Sequence, residues 1–209
     1  MFKHISRFSL RAFILSLATP RVQGMVPKYD QGPTVFYANH KSLADFLLLW
    51  AVLPAQVRRN TRIVAAEDFW QKNPLRRWIS QNVFQAVMVK RPGEGGVCKE
   101  TGQLRTVLRP LREGKNLILF PEGQRNKTDQ VLLPFQQGLY AISKVMPQVK
   151  LRPVWLANVD RLLPHQSRVP LPYACGVTFG GPLDILDGEP QNDFESRASQ
   201  ELIRLNPSE

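Results

Sequence analysis

The 209-residue sequence has no apolar stretch long enough to cross a bilayer, which takes about 20 residues. Its longest unbroken run is residues 46–53, closed by Pro54. It has little cysteine. Cys98 and Cys175 stand far apart, and neither belongs to a C-x-x-C or other metal-like pair. The pattern reads as two reduced thiols rather than a disulfide framework or a zinc site. No repeat recurs at solenoid spacing, and no tract is collagen-like or of low complexity. A G-x-S-x-G elbow, a P-loop and a cluster of metal ligands are all missing. These absences set aside helical spanning proteins, elbow-type serine hydrolases and P-loop NTPases. What remains is a chain 43% hydrophobic, enough for a core in one domain.

Acidic residues are scarce for most of the length. The formal net charge is +11, and the segment from Leu183 onward holds seven acidic against two basic residues, so the part before it carries about +16. Such a field draws anions: nucleic acid, anionic head groups or phosphorylated small molecules. At the N-terminus Lys3, Arg7 and Arg11 recur at i, i+4, i+8, opposite Phe2, Ile5, Phe8, Ala12 and Phe13. This is the pattern of an amphipathic helix lying in a membrane interface. A plain packing helix and a weak signal peptide are the rival readings, the latter without a convincing cleavage site. The expected organisation is a membrane-contact helix over residues 1–20 and one domain over 21–209.

Short β-branched and apolar runs predict strands at 34–38, 63–66, 86–89, 116–120, 151–157 and 174–179. Helices are expected at 42–53, from Asn73-Pro74 onward, at 97–113 with Pro110 inside and Gly114 closing it, at 134–146, and, acidic and exposed, at 192–205. Strands alternating with helices predict an α/β fold with a mostly parallel central sheet flanked by helices. In such sheets, sites gather at the carboxyl ends of strands.

Three loops then attract attention. The first reads Asn39-His40-Lys41-Ser42-Leu43-Ala44-Asp45. An unperturbed imidazole titrates near about 6.5, so a histidine at a strand end suits a general base. If Ser42 caps the following helix, the chain bends and Asp45 can reach the imidazole, fixing its tautomer. The competing reading is a capping box, in which Ser42 and Asp45 merely start a helix. The second loop, Phe120-Pro121-Glu122-Gly123-Gln124-Arg125-Asn126, offers a glycine for close backbone approach and a guanidinium fork for phosphate; a polar turn would look the same. The third strand ends in Lys90-Arg91, an anion site or a solvated terminus. A base without a protein nucleophile suggests direct transfer to a substrate hydroxyl.

These residues resemble the 1-acylglycerol-3-phosphate acyltransferase family, also called lysophosphatidic acid acyltransferases. Its first block, Asn-His-x-Ser-x-x-Asp, is matched at every fixed position by Asn39 to Asp45. Its third, Phe-Pro-Glu-Gly-Thr-Arg-Ser, is matched by Phe120 to Asn126 except at Gln124 and Asn126. Gln85 to Arg91 fits the second block loosely, and Leu151-Arg152-Pro153-Val154 fits the fourth. Leu133 to Gly138 is similar to the helix start that follows the third block. The likeness covers roughly residues 20 to 182.

The resemblance implies acyl transfer from acyl-CoA or acyl carrier protein to the free hydroxyl of a lysophospholipid, 1-acyl-sn-glycerol-3-phosphate first, giving phosphatidic acid, with no cofactor and no metal. His40 would deprotonate the hydroxyl and Asp45 would support it. Arg91, Glu122, Gly123 and Arg125 would hold the acceptor. Pro153, with Asn39 and Ser42, would border the acyl-donor site. Backbone N–H groups of the first block are the expected oxyanion donors. The enzyme would bind the cytoplasmic side of a membrane peripherally, through the N-terminal helix and residues 69–79, where Phe69, Trp70 and Trp78 mix with Lys72, Arg76 and Arg77. Rival readings are an acyltransferase with another acceptor, such as a lyso-ornithine lipid, a non-catalytic anionic-membrane module, and a nucleic-acid binder, the last without a reader motif.

Overall fold

The computed structural model describes residues 2–27, 32–90, 97–163 and 170–207. Helix α1 (Phe2–Ala18) leads into a short strand, β1 (Arg21–Gly24). Strand β2 (Thr34–Ala38) is buried at every position, as befits a central strand covered on both faces. Helix α2 (Asp45–Val52) is apolar nearly all round and packs against α1. Its last carbonyls are gripped by two cations, Arg11 Nε on Ala51 O at 3.0 Å and Arg58 Nη1 on Leu53 O at 2.7 Å. Positive charge there complements the negative end of the helix dipole.

Helix α3 (Ala55–Arg59) returns the chain to β3 (Thr61–Ala66), and α4 (Glu67–Trp70) follows. Helix α5 (Pro74–Ile79) opens on a proline and continues as a π turn over Ser80–Phe84 before β4 (Val87–Val89). Helix α6 (Val97–Arg112) runs through Pro110, and Gly114, at φ +72°, ends it. Then come β5 (Asn116–Leu119), α7 (Gly138–Val145), β6 (Lys150–Ala157), α8 (Val159–Leu162), β7 (Gly176–Phe179) and α9 (Gln191–Ile203).

The strands form one seven-stranded sheet in the order β1-β7-β6-β2-β5-β3-β4. All neighbours are parallel except β6 and β7. The carboxyl ends of β2, β3, β4, β5 and β6 therefore share one edge. Side-chain alternation splits the core in two. Phe36 and Ala38 face one cluster with Ile14, Ala18, Leu48, Leu49 and Phe84. Val35 and Tyr37 face the other, with Leu111, Leu139, Ile142, Phe194 and Leu202. The fold is thus α/β, with a mostly parallel sheet flanked by helices.

Several features depart from the sequence expectations, among them the short helices α3, α4 and α8, which were not expected. Helix α2 begins at Asp45 rather than 42, because the loop before it is bent by side chains described below. Helix α7 begins at Gly138 rather than 134, and in the strap before it the N–H groups of Leu133 and Gln136 bond to Glu122 and to Pro121 O. Helix α9 is acidic but not simply exposed: Phe194, Ala198 and Leu202 form a buried i, i+4, i+8 stripe. Strand β1 was not foreseen. It is exposed at all four positions, so no hydrophobic alternation marks it, and it exists by pairing with β7. Helix α1 also shares the main core through Ile14 and Ala18, so it is not a detachable appendage.

Candidate active site

The site forms where β2 and β5 end side by side. Asn39 continues the β2–β6 pairing with its side chain. Its Nδ2 donates to Leu156 O at 2.9 Å, and Leu156 N donates to its Oδ1 at 2.8 Å. That two-point grip fixes the chain immediately before His40.

His40 Nδ1 lies 2.8 Å from Asp45 Oδ2. The same oxygen accepts the N–H groups of Lys41 and Ser42, each at 2.7 Å. Three donors on one carboxylate oxygen bend the loop back on itself, which answers how residues five apart can meet. Ser42 is not the helix cap. Its Oγ accepts the N–H of Ala44 at 3.2 Å and donates to Leu163 O at 3.4 Å. The His40 side chain is 17% exposed and the Asp45 side chain 2%, so a solute can reach the imidazole but not the carboxylate. Since Asp45 holds Nδ1, the other ring nitrogen, Nε2, carries the free lone pair in the neutral form. Phe120 stacks on the imidazole with centroids 4.2 Å apart and planes 22° from parallel.

The second loop supports the first from behind. Glu122 Oε1 accepts the N–H of His40 at 2.7 Å, and its Oε2 accepts that of Leu133 at 2.9 Å. Burial pushes this carboxyl above its ordinary range, against the opposing pull of those two N–H bonds. Asn126 N donates to His40 O at 2.6 Å. Its Oδ1 accepts from Thr128 N and Oγ1, and its Nδ2 donates to Gln130 O. Gly123 sits at φ +70°, where a Cβ would come within 2.9 Å of Gln136, so the turn needs glycine. Arg125 is half-buried beside it, and among the described residues no hydrogen-bond or ion-pair partner falls to its guanidinium.

The structure thus brings His40, Asp45, Glu122 and Gly123 to one place, with Arg125 two residues along the same turn. Glu122, expected on the acceptor, turns both oxygens to main chain. Asn39 and Ser42 are likewise buried and bonded to backbone. Pro153 lies inside β6 opposite Tyr37, with its Cγ close under Gly180. Arg91 falls outside the described residues. The oxyanion donors expected from the first block are mostly committed: the N–H groups of His40, Lys41, Ser42, Ala44 and Asp45 all have acceptors. Cys175 is no candidate nucleophile, because burial, and then the charges of Asp45 and Asp160, push its thiol up to about 11. Sequence reasoning missed the parts played by Phe120, Asn126 and Leu133. Phe120 and Asn126 stood in the motif, but nothing local marked the ring stack or the main-chain bonds.

A histidine oriented by a buried aspartate, at the carboxyl edge of a parallel sheet, defines an α/β domain equipped to take a proton from a bound substrate. The comparisons narrow this. The family model described as Acyltransferase matches residues 19–157, and the chain belongs to that family. It is 26% identical over 133 residues to 1-acyl-sn-glycerol-3-phosphate acyltransferase of Helicobacter pylori, covering 64% of this chain and 52% of that protein. It is 27% identical over 194 residues to Tafazzin of Drosophila melanogaster, covering 90% of this chain and 48% of that protein. The chain therefore spans about half the length of these curated relatives. The fold is similar to the crystal structure of PlsC, the 1-acyl-sn-glycerophosphate (LPA) acyltransferase of Thermotoga maritima. The TM-score is 0.71 and the identity 20%, over 97% of this chain and 78% of that one.

Proposed function

We propose that this chain is an O-acyltransferase that moves a fatty acyl group from acyl-CoA or acyl carrier protein to the free hydroxyl of a lysophospholipid, 1-acyl-sn-glycerol-3-phosphate being the first choice. The observation that carries the reading is the 2.8 Å contact between His40 Nδ1 and the buried Asp45 carboxylate, within a family named for acyl transfer. His40 Nε2 takes the hydroxyl proton. The hydroxyl oxygen attacks the thioester carbonyl carbon, the carbon–sulfur bond breaks, and the thiolate leaves with the proton from His40. No covalent enzyme intermediate is needed. Asp45 stabilises the imidazolium that forms between the two proton transfers.

Arg125 is the residue proposed to hold the acceptor phosphate, since its planar fork pairs with phosphate oxygens and no partner among the described residues competes for it. Arg91 is assigned the same role on the strength of the resemblance. Of the two departures from the third block, Asn126 is buried and satisfied within its own loop, whereas Gln124 is exposed. The choice of head group therefore rests more on Gln124.

Binding is proposed to be peripheral, at the cytoplasmic side of a membrane, where a free thiol such as Cys175 persists. Supporting this, Phe8, Phe13 and Trp78 are 72%, 56% and 46% exposed, and among the described residues no helix is long and apolar enough to cross a membrane.

The test offers purified protein a panel of lyso-lipids with both donors, beside His40→Ala. Transfer to lysophosphatidic acid by the wild type, lost by at least about 10³-fold in the variant while liposome binding persists, supports the reading. Equal rates in the two proteins would remove His40 from the chemistry. Transfer confined to another lyso-lipid would reassign the acceptor.

A further inference from the structure

Glu122 lies behind the imidazole rather than beside any substrate. It is 2% exposed, and its two oxygens serve two different segments, the His40 N–H at 2.7 Å and the Leu133 N–H at 2.9 Å. We propose that Glu122 is a positioning residue for His40: its carboxylate clamps the loop carrying the imidazole to the strap at residues 130–137, and so sets where Nε2 stands. The inference rests on the acyl-transfer reading above and assigns Glu122 a task other than holding the acceptor.

The geometry around His40 explains why such a clamp matters. Its ring is fixed at Nδ1 by Asp45 and on one face by Phe120. Its carbonyl is held by the Asn126 N–H. Its own N–H is held by Glu122. Asp45, the first residue of α2, holds the ring from the far end of the loop. Besides Asn39 on Leu156 and Ser42 on Leu163, the anchors from outside are Phe120, Asn126 and Glu122 in the segment that follows β5. Glu122 joins His40 to that strap with one carboxylate, whereas Asn126 bonds His40 through its main chain and Gln130 through its side chain. The Glu122–Leu133 bond holds the strap ahead of α7 against the turn carrying Glu122.

The chemistry of the contact also requires a carboxylate. Each oxygen meets an N–H donor, so both must accept. A carboxamide would turn an NH₂ toward one of those donors. One segment would be released, and a shift of about 1 Å at a reacting group costs on the order of 10²-fold in rate.

The experiment compares wild type, Glu122→Gln and Glu122→Asp. The aspartate keeps the charge but is one methylene too short to reach both N–H groups. Two readouts are taken: kcat and KM for the lysophospholipid, and the pH titration of the His40 ring by NMR, its signal assigned with His40→Ala. Each variant is first checked for the wild-type circular dichroism spectrum, and the aspartate serves if the glutamine variant does not fold. The proposal expects KM within about threefold of wild type, kcat down by about 30–100-fold, and a displaced His40 signal with a shifted titration. A raised KM with kcat unchanged and the His40 signal in place would make Glu122 a ligand of the acceptor and overturn the proposal. Should wild type acylate none of the lyso-lipids offered, the acyl-transfer reading fails. The His40 signal then decides the positioning role alone: displacement supports it and constancy overturns it.

Discussion

Asp45 does two jobs with one oxygen. It bends the loop through the N–H groups of Lys41 and Ser42, and it meets the imidazole at Nδ1. Asp45→Asn separates these jobs from simple size. An asparagine can still accept through its carbonyl oxygen, but it cannot supply the negative charge that stabilises an imidazolium, and its NH₂ group favours the wrong tautomer of the ring. The expected outcome is a fall of about 10³- to 10⁴-fold in kcat, with KM for the acceptor little changed, measured under saturating donor. A loss below about tenfold would mean that Asp45 serves the loop alone. The site was legible at this scale where its residues are neighbours in sequence. Asn39 to Asp45 could be read because base and carboxylate lie within one short stretch. The bonds from Leu156, Glu122 and Asn126 could not, because they join segments that only the sheet brings together.

The elements were mostly legible too, for a physical reason. Strands β2, β5 and β6 are central, and burial on both faces writes a continuous apolar run into the sequence. Edge strand β1 has no such constraint: Arg21-Val22-Gln23-Gly24 is exposed throughout. Helix α9 shows the opposite failure. Its acidic composition suggested solvent on all sides, yet Phe194 lies under Tyr140, with rings 5.6 Å apart, and is fully buried. Arg197 on the same helix holds Glu189 with two hydrogen bonds, at 2.8 and 2.7 Å. Charge therefore decorates α9 while the Phe194, Ala198, Leu202 stripe attaches it. Phe194→Ala removes the largest side chain of that stripe from a packed core, which typically costs about 3–5 kcal/mol. Urea unfolding should show a loss of that size. A change under about 1 kcal/mol would mean that α9 contributes little to the second core.

At the scale of the whole molecule, the placement of α1 relates the site to a lipid surface. Helix α1 packs inward through Ile14 and Ala18 while Phe8 and Phe13 stay exposed. It lies over the same face of the sheet as α2, and Phe120, whose ring stacks on His40, packs against that same cluster. The exposed Trp78 belongs to α5, which runs on into the π turn that packs on α1. The proposed membrane-contact residues thus belong to elements that pack on the same core cluster as Phe120, whose ring stacks on His40. The packing reading holds for the inner face of the helix, and the outer face is left for the proposed membrane contact. Deleting the helix would test neither cleanly, because the core would lose Ile14 and Ala18. The double variant Phe8→Ser, Phe13→Ser spares the inner face. Burying a phenylalanine side chain in an apolar phase is worth about 1.5–3 kcal/mol, and each 1.4 kcal/mol is about tenfold in an equilibrium constant. Partitioning onto anionic liposomes should therefore fall by at least about tenfold. Turnover of a short-chain lyso-lipid free in solution should be unchanged, because neither residue touches the site. Undiminished liposome binding by the double variant would place the membrane contact elsewhere. Equal loss of both activities would instead show that α1 had been unpacked.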